Sequence, residues 1–90
     1  MSTAKIEMYS TGICPYCVAA KNFFVSRGLP FEEFRIDKDP VRRNEMLTRA
    51  RHHRTVPQIF INGTHVGGFE DMIALDRAGG LAPLLAAIPG

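Results

Sequence analysis

The sequence predicts an α/β fold in which a four-stranded mixed sheet is flanked by helices on both faces. Three observations predict it. A strand pattern, a helical pattern and a second strand pattern follow one another between Lys5 and Ile36, and such a βαβ unit closes as two parallel strands with a right-handed crossover. Asn62-Gly63 sits between two short strand-like runs, the strongest short signal for an antiparallel hairpin. Helical patterns occupy the segments on either side of that hairpin.

Each element has a local reason. Lys5-Ile6-Glu7-Met8-Tyr9 alternates polar and apolar residues, as a strand does, and Ser10-Thr11-Gly12 breaks it. From Pro15 to Arg27 the spacing is helical, with Cys17, Ala20 and Phe24 on one face and Phe23 beside them. Pro15 suits a first helical turn, and Gly28 followed by Pro30 ends the helix. Phe31–Ile36 is the second strand. Asp39-Pro40 reads as an N-cap with proline at the first helical position, opening a helix that is expected to run to about Arg51. Gln58–Ile61 and Thr64–Val66 form the hairpin strands. Gly67-Gly68 precedes a helix carrying Phe69, Met72, Ile73 and Leu75, and Gly79-Gly80 stops it. Leu81, Leu84, Leu85 and Ile88 fit a short last helix.

Composition bounds the function. Ninety residues, 46% hydrophobic and 22% charged, fit one globular domain spanning 1–90. There is no apolar run near the ~18 residues that span a bilayer, and Met1–Lys5 lacks the apolar stretch of a secretion signal. A cytoplasmic chain with no membrane partner is therefore expected. Two cysteines are too few for a disulfide-stapled scaffold. The net charge of +2 says little, but Arg42, Arg43, Arg49, Arg51 and Arg54 cluster with His52 and His53. Such a cluster could hold an anion or nucleic acid; because Glu45, Met46, Leu47 and Ala50 interrupt it, a solvated helix face is the preferred reading. No nucleic-acid recognition motif accompanies it, so no nucleic-acid partner is expected.

The specific motif is Cys14-Pro15-Tyr16-Cys17, after a strand and at the start of a helix. A thiolate is the nucleophile of sulfur chemistry, and a free thiol with a pKa of ~8.5 is mostly protonated at neutral pH. Unpaired N–H groups and the dipole at a helix N-terminus favour the anion. Cys14 should feel them most directly, with Cys17 more shielded one turn in. Their spacing lets the sulfurs meet in one small ring, and Pro15 fixes the turn without wasting a donor. The competing readings are two buried cysteines or half of a zinc site. Zinc would need a second ligand pair; His52-His53 is the only candidate, and neighbours on a helix point in different directions. No metal site is expected.

These residues resemble the glutaredoxins. Besides Cys14–Cys17, Thr55-Val56-Pro57-Gln58-Ile59-Phe60-Ile61 and Gly67-Gly68-Phe69-Glu70-Asp71 stand in that family's order and spacing, and the match runs from about Lys5 to Leu85. The resemblance implies the thioredoxin fold and glutathione-dependent reduction of protein disulfides and glutathione mixed disulfides by Cys14 and Cys17. It implies glutathione as co-substrate, no tightly bound cofactor, disulfide-containing or glutathionylated proteins as partners, and a monomer. It also implies that Pro57 is a cis-proline facing the cysteines, whereas the residues alone favour a trans proline at a strand start. By the same resemblance Val56 offers backbone groups to glutathione, alongside Thr55. Tyr16 forms a wall of the groove, and Gly68 with Phe69, Glu70 and Asp71 meets the γ-glutamyl end at a helix start. Glu70 and Asp71 have capping as a second reading. Arg54 and Lys21 are cations for the tripeptide's carboxylates, with solvation as the other reading of Lys21.

Two positions depart from the family pattern. Thr11 stands where many members carry lysine, leaving Arg54 and the arginine cluster as the substitute charge. Phe69 stands where cysteine or serine is common, making the groove more apolar. Two other carriers are alternatives. A thioredoxin-like electron carrier would usually have Gly-Pro between the cysteines and a preceding tryptophan, and this chain has no tryptophan. An iron–sulfur carrier of this family usually has one cysteine followed by Gly-Phe-Ser, unlike Pro15-Tyr16-Cys17.

Overall fold

The computed structural model describes residues 4–86. Its elements are β1 (Ile6–Ser10), α1 (Pro15–Ser26), β2 (Glu32–Arg35), α2 (Pro40–Arg49), β3 (Gln58–Ile61), β4 (Thr64–Gly67), α3 (Phe69–Arg77) and α4 (Leu81–Ala86). The sheet order is β2-β1-β3-β4. β1 and β2 are parallel, while β1–β3 and β3–β4 are antiparallel. This is the expected mixed sheet. Ile88 of the expected last helix lies outside the described residues. Among those residues no helix is long and apolar enough to cross a membrane.

β1 is central, and all five of its residues are buried. Alternation along it divides the core into two layers. Ile6 and Met8 join Ile59 and Ile61 under Ala20, Phe24, Met72 and Leu81 on one face. Tyr9 joins Phe60, Ile36, Met46 and Ala50 on the other. Burying each large apolar side chain contributes ~1.5–3 kcal/mol before its entropic cost.

The polar positions of β1 are buried because partners reach them. Arg49, at the end of α2, donates to both Glu7 oxygens at 3.0 and 3.3 Å and to Tyr9 Oη at 2.9 Å. Its guanidinium also lies 4.0 Å above the Phe60 ring. Tyr9 donates in turn to Glu45. Burial first, and that bond second, push the Tyr9 phenol up to about 12, although Arg49 opposes them. Arg42 lies 4.0 Å over Phe34 and pairs with Glu45 at 3.1 Å. The solvated reading of the arginine cluster is thereby corrected for these two residues: their planar cations roof the aromatic face of the sheet. Arg43, Arg51 and Arg54 do remain exposed.

A second correction concerns the end of α2, which stops at Arg49 rather than Arg51. Three helices end in the same way, with a left-handed residue just past the cap and an N–H reaching back five positions. In α1 the residue is Gly28 (φ +66°), with Leu29 N–H donating to Phe24 O at 2.9 Å. In α3 it is Gly79 (φ +80°), with Gly80 N–H donating to Leu75 O at 2.9 Å. In α2 the same place is held by Arg51 (φ +54°), followed by His52 (φ +67°) whose N–H donates to Leu47 O at 2.6 Å. Glycine announces the first two stops. Arginine, a good helix former, conceals the third.

Two predictions follow from this packing. An L-residue in the left-handed region is strained by ~1–2 kcal/mol, partly offset by glycine's freer unfolded chain, so Arg51→Gly should stabilise the fold by about 0.5–1 kcal/mol. Urea unfolding would read this as a higher midpoint at unchanged slope, and a lower midpoint would refute it. The Glu45 carboxyl is held below its ordinary value, chiefly by the bond from Tyr9 and then by Arg42 and Arg49 against burial. Its stabilising effect is complete above that ordinary value of 4.5 and is lost as pH falls through the lowered native one. Between about pH 5 and pH 3 the urea midpoint of the unmodified chain should therefore drop more steeply than that of Glu45→Gln. Parallel curves would contradict the assignment.

Candidate active site

Parallel β1 ends at Ser10, and the chain turns through Thr11–Ile13 into the N-terminus of α1. The turn is tied to the end of β2, where Gly12 N–H donates to Asp37 Oδ2 at 3.1 Å. Arg35 holds Asp37 by two bonds at 2.7 and 2.9 Å and, chiefly through them, keeps its carboxyl well below the usual range. Ser10 donates to Glu33 at 2.6 Å. Lys21 pairs with that same Glu33 at 3.2 Å, remains partly exposed, and is not among the residues that line the groove.

Cys14 is the N-cap of α1, with Pro15 in the first turn. Its Sγ accepts the Cys17 N–H at 3.1 Å. A capping side chain normally fills this place with oxygen and contributes ~1 kcal/mol; here it is a sulfur. The two cysteines form a disulfide, with Cα atoms 5.2 Å apart. Cys14 is half-buried at the surface, whereas Cys17, on the buried face of α1, is only 1% exposed. Beside them Ile13 is 96% exposed.

Across from the cysteines lies the segment between α2 and β3. Cys14 Sγ is 3.6 Å from the Val56 carbonyl oxygen, and the Val56–Pro57 peptide bond is cis. The trans reading of Pro57 is thus corrected, in favour of what the resemblance implies. A groove of about 330 Å³ opens here, lined by Tyr16, Thr55, Val56, Pro57, Gly68, Phe69, Glu70 and Asp71. The rings of Tyr16 and Phe69 face one another across it, with centroids 6.4 Å apart. Arg54 is exposed next to Thr55 and is not among the lining residues.

The far end of the groove is the start of α3. Asp71 Oδ2 accepts the Gly68 N–H at 2.9 Å, so the carboxylate does cap. Gly67 has φ +110°, and a Cβ there would stand 2.5 Å from Asp71 Oδ2. Above all, that left-handed φ, which strains any residue with a side chain, is why the chain needs glycine at this point. No side chain caps the first N–H groups within the helix, which together with its dipole suit them to an anion. Among the described residues no group of three or more potential ligands could hold a metal ion.

Gln58 and His65, to which the sequence reading gave no role, do not line the groove but stand behind its Thr55 wall. Gln58 Nε2 donates to Thr55 O at 2.9 Å and to Thr55 Oγ1 at 3.2 Å, and His65 meets Gln58 from behind. A buried glutamine at the first position of an apolar strand was the available signal.

Comparison with known proteins decides the family. The glutaredoxin family model matches residues 6–66. Glutaredoxin 3 of Escherichia coli strain K12 is 48% identical over 82 residues, covering 91% of this chain and 98% of its own. The chain belongs to the glutaredoxin family. Its chemistry is accordingly that of a thiol–disulfide oxidoreductase. The glutaredoxin of Pseudomonas aeruginosa is 46% identical over 82 residues, covering 91% and 96% of the two chains. Among solved structures, Brucella melitensis glutaredoxin superposes with a TM-score of 0.78 at 39% identity, over 94% of this chain and 91% of that one. The buckwheat glutaredoxin–glutathione complex superposes with a TM-score of 0.78 at 29% identity, over 89% and 74%. The mixed four-stranded sheet of this glutaredoxin is thus the thioredoxin fold.

Proposed function

We propose that this glutaredoxin reduces glutathione mixed disulfides and protein disulfides with glutathione as the electron donor. The observation that carries the reading is the arrangement around one sulfur. Cys14 Sγ lies at the surface, 3.6 Å from the Val56 carbonyl at the mouth of the groove, while Cys17 is buried behind it.

In the proposed cycle the Cys14 thiolate attacks the glutathione sulfur of a glutathionylated protein. The protein thiolate leaves and takes up a proton, and Cys14 carries the glutathionyl group. The thiolate of a second glutathione then attacks that glutathionyl sulfur, forming glutathione disulfide and restoring Cys14. Net, one glutathione is consumed for each protein thiol released, and it leaves joined to the substrate's own glutathionyl group as glutathione disulfide. With a protein disulfide, Cys14 forms the mixed disulfide and Cys17 attacks the Cys14 sulfur, releasing the reduced protein and leaving the Cys14–Cys17 bond. Two glutathiones reopen it.

The groove supports glutathione as the occupant. In this reading the backbone of Val56, beside Thr55 and Pro57, pairs with the cysteinyl unit; its carbonyl lying 3.6 Å from Cys14 Sγ supports this. The α-carboxylate of the γ-glutamyl end suits the N-terminus of α3 at Gly68–Phe69, with Glu70 and Asp71 beside its ammonium. Tyr16 and Phe69 flank the tripeptide. Arg54, exposed at the rim, supplies the cation for the glycine carboxylate that Thr11 does not. The buckwheat relative in complex with glutathione supports the same reading. We take the partners to be glutathionylated or disulfide-bonded proteins, met by a cytoplasmic monomer with no tightly bound cofactor.

Rates of deglutathionylation, coupled to glutathione reductase, test the cysteine roles. Cys14→Ser should abolish turnover, whereas Cys17→Ser should keep the rate on a glutathionylated peptide within about threefold, because only the thiolate that attacks the substrate is indispensable to that cycle. Equal loss in both variants would sink the assignment.

A further inference from the structure

Gln58 opens β3 and is 2% exposed. Its amide can face only one way. The Thr55 carbonyl oxygen is an obligate acceptor, so the nitrogen must point to it; it does so at 2.9 Å, and to Thr55 Oγ1 at 3.2 Å. Oε1 is left pointing away from the groove, 2.7 Å from His65 Nε2. An amide oxygen is acceptor-only, so Nε2 of His65 must carry the proton and donate it.

His65 is itself held in place. On β4 it stands opposite Phe60 in the register of the sheet, and its ring stacks on that of Phe60 with centroids 4.8 Å apart and planes 24° apart. The His53 ring meets it edge-on at 6.0 Å. Burial first, then the charges of His53 and Arg51 and the more distant Arg49, push the His65 imidazole down, with Asp71 on α3 opposing. A neutral ring protonated on Nε2 is the species this surrounding favours.

We propose that His65 is a positioning residue for the groove: its Nε2–H orients the Gln58 amide, and that amide clamps Thr55 so that the Val56 carbonyl stands beside Cys14. The inference rests on the glutathione reading of the groove given above. Thr55 and Val56 lie outside the strands, where the β-ladder does not hold them. The Gln58 amide grips Thr55 at its carbonyl and at its hydroxyl together. Without a donor at its back, the buried Oε1 of Gln58 is left unsatisfied, so the amide's grip on Thr55 weakens and the wall of the groove loosens. The sulfur chemistry itself does not depend on this bond, because Cys14 takes its capping bond from α1.

Two variants separate positioning from bulk stability. His65→Phe keeps a ring on Phe60 but has no N–H. His65→Gln restores an amide N–H close to where Nε2 stands. With a glutathionylated peptide as substrate, His65→Phe should raise KM about five- to tenfold, the scale of one buried hydrogen bond, with kcat within about twofold. His65→Gln should recover most of that loss. Alkylation of reduced Cys14 by iodoacetamide, which needs no groove, should be unchanged in both. By NMR the Gln58 side-chain amide should exchange faster and the Thr55 and Val56 amide signals should move in His65→Phe, returning toward their original positions in His65→Gln. An unchanged KM in His65→Phe, equal damage in both variants, or an undisturbed Gln58 amide would overturn the proposal. If the unmodified chain turns over cysteinylated and glutathionylated forms of the peptide equally well, the glutathione reading fails instead, and the NMR comparison alone then decides the role of His65.

Discussion

The site depends on one interaction, the bond from the Cys17 N–H to the Cys14 sulfur at the N-terminus of α1. A helix start leaves donors that must be satisfied, and most proteins satisfy them with a serine, threonine or aspartate. Using a cysteine makes the capping atom a nucleophile. The same donors and dipole that stabilise the helix favour the sulfur's anion. Structure and reactivity are thus served by one atom, and the remaining elements serve to present it.

That presentation is rigid because both faces of the sheet are closed. β1 delivers the turn to the end of the sheet, and its polar residues stay buried because Arg49 meets Glu7 and Tyr9 from α2 and Glu33 accepts from Ser10. Gly12 is fastened to Asp37 at the foot of β2. From the opposite side, the Val56 carbonyl stands 3.6 Å from the sulfur, and Gln58 bonds Thr55, the residue before Val56. The α3 N-terminus supplies the third wall. The groove is therefore assembled from three chain segments, each anchored in the sheet or its covering helices.

Much of this was legible in the sequence, for physical reasons. Strand alternation, the Asn62-Gly63 turn and the glycine stops at Gly28 and Gly79 are local signals with local outcomes. Cys14–Cys17 was legible because its spacing and its helix start both bear on one chemistry. What escaped depends on partners distant along the chain. Nothing near Lys21 announces Glu33. Arg42 and Arg49 read as a charged helix face until the aromatic rings of Phe34 and Phe60 appear beneath them. The early end of α2 was hidden because Arg51 takes a conformation normally left to glycine. The cis state of Pro57 came from family resemblance alone, since the residues themselves favour trans. Gln58 and His65 were passed over because a polar residue in a short strand declares a function only once its bonding partners are known.

The claim that the helix start sustains a Cys14 thiolate is tested most directly by the pH dependence of iodoacetamide alkylation. The reduced Cys17→Ser protein carries Cys14 as its sole thiol and keeps the backbone N–H at position 17. The account predicts a midpoint at least about one pH unit below the ~8.5 of a free thiol. A midpoint at or above that value would contradict it.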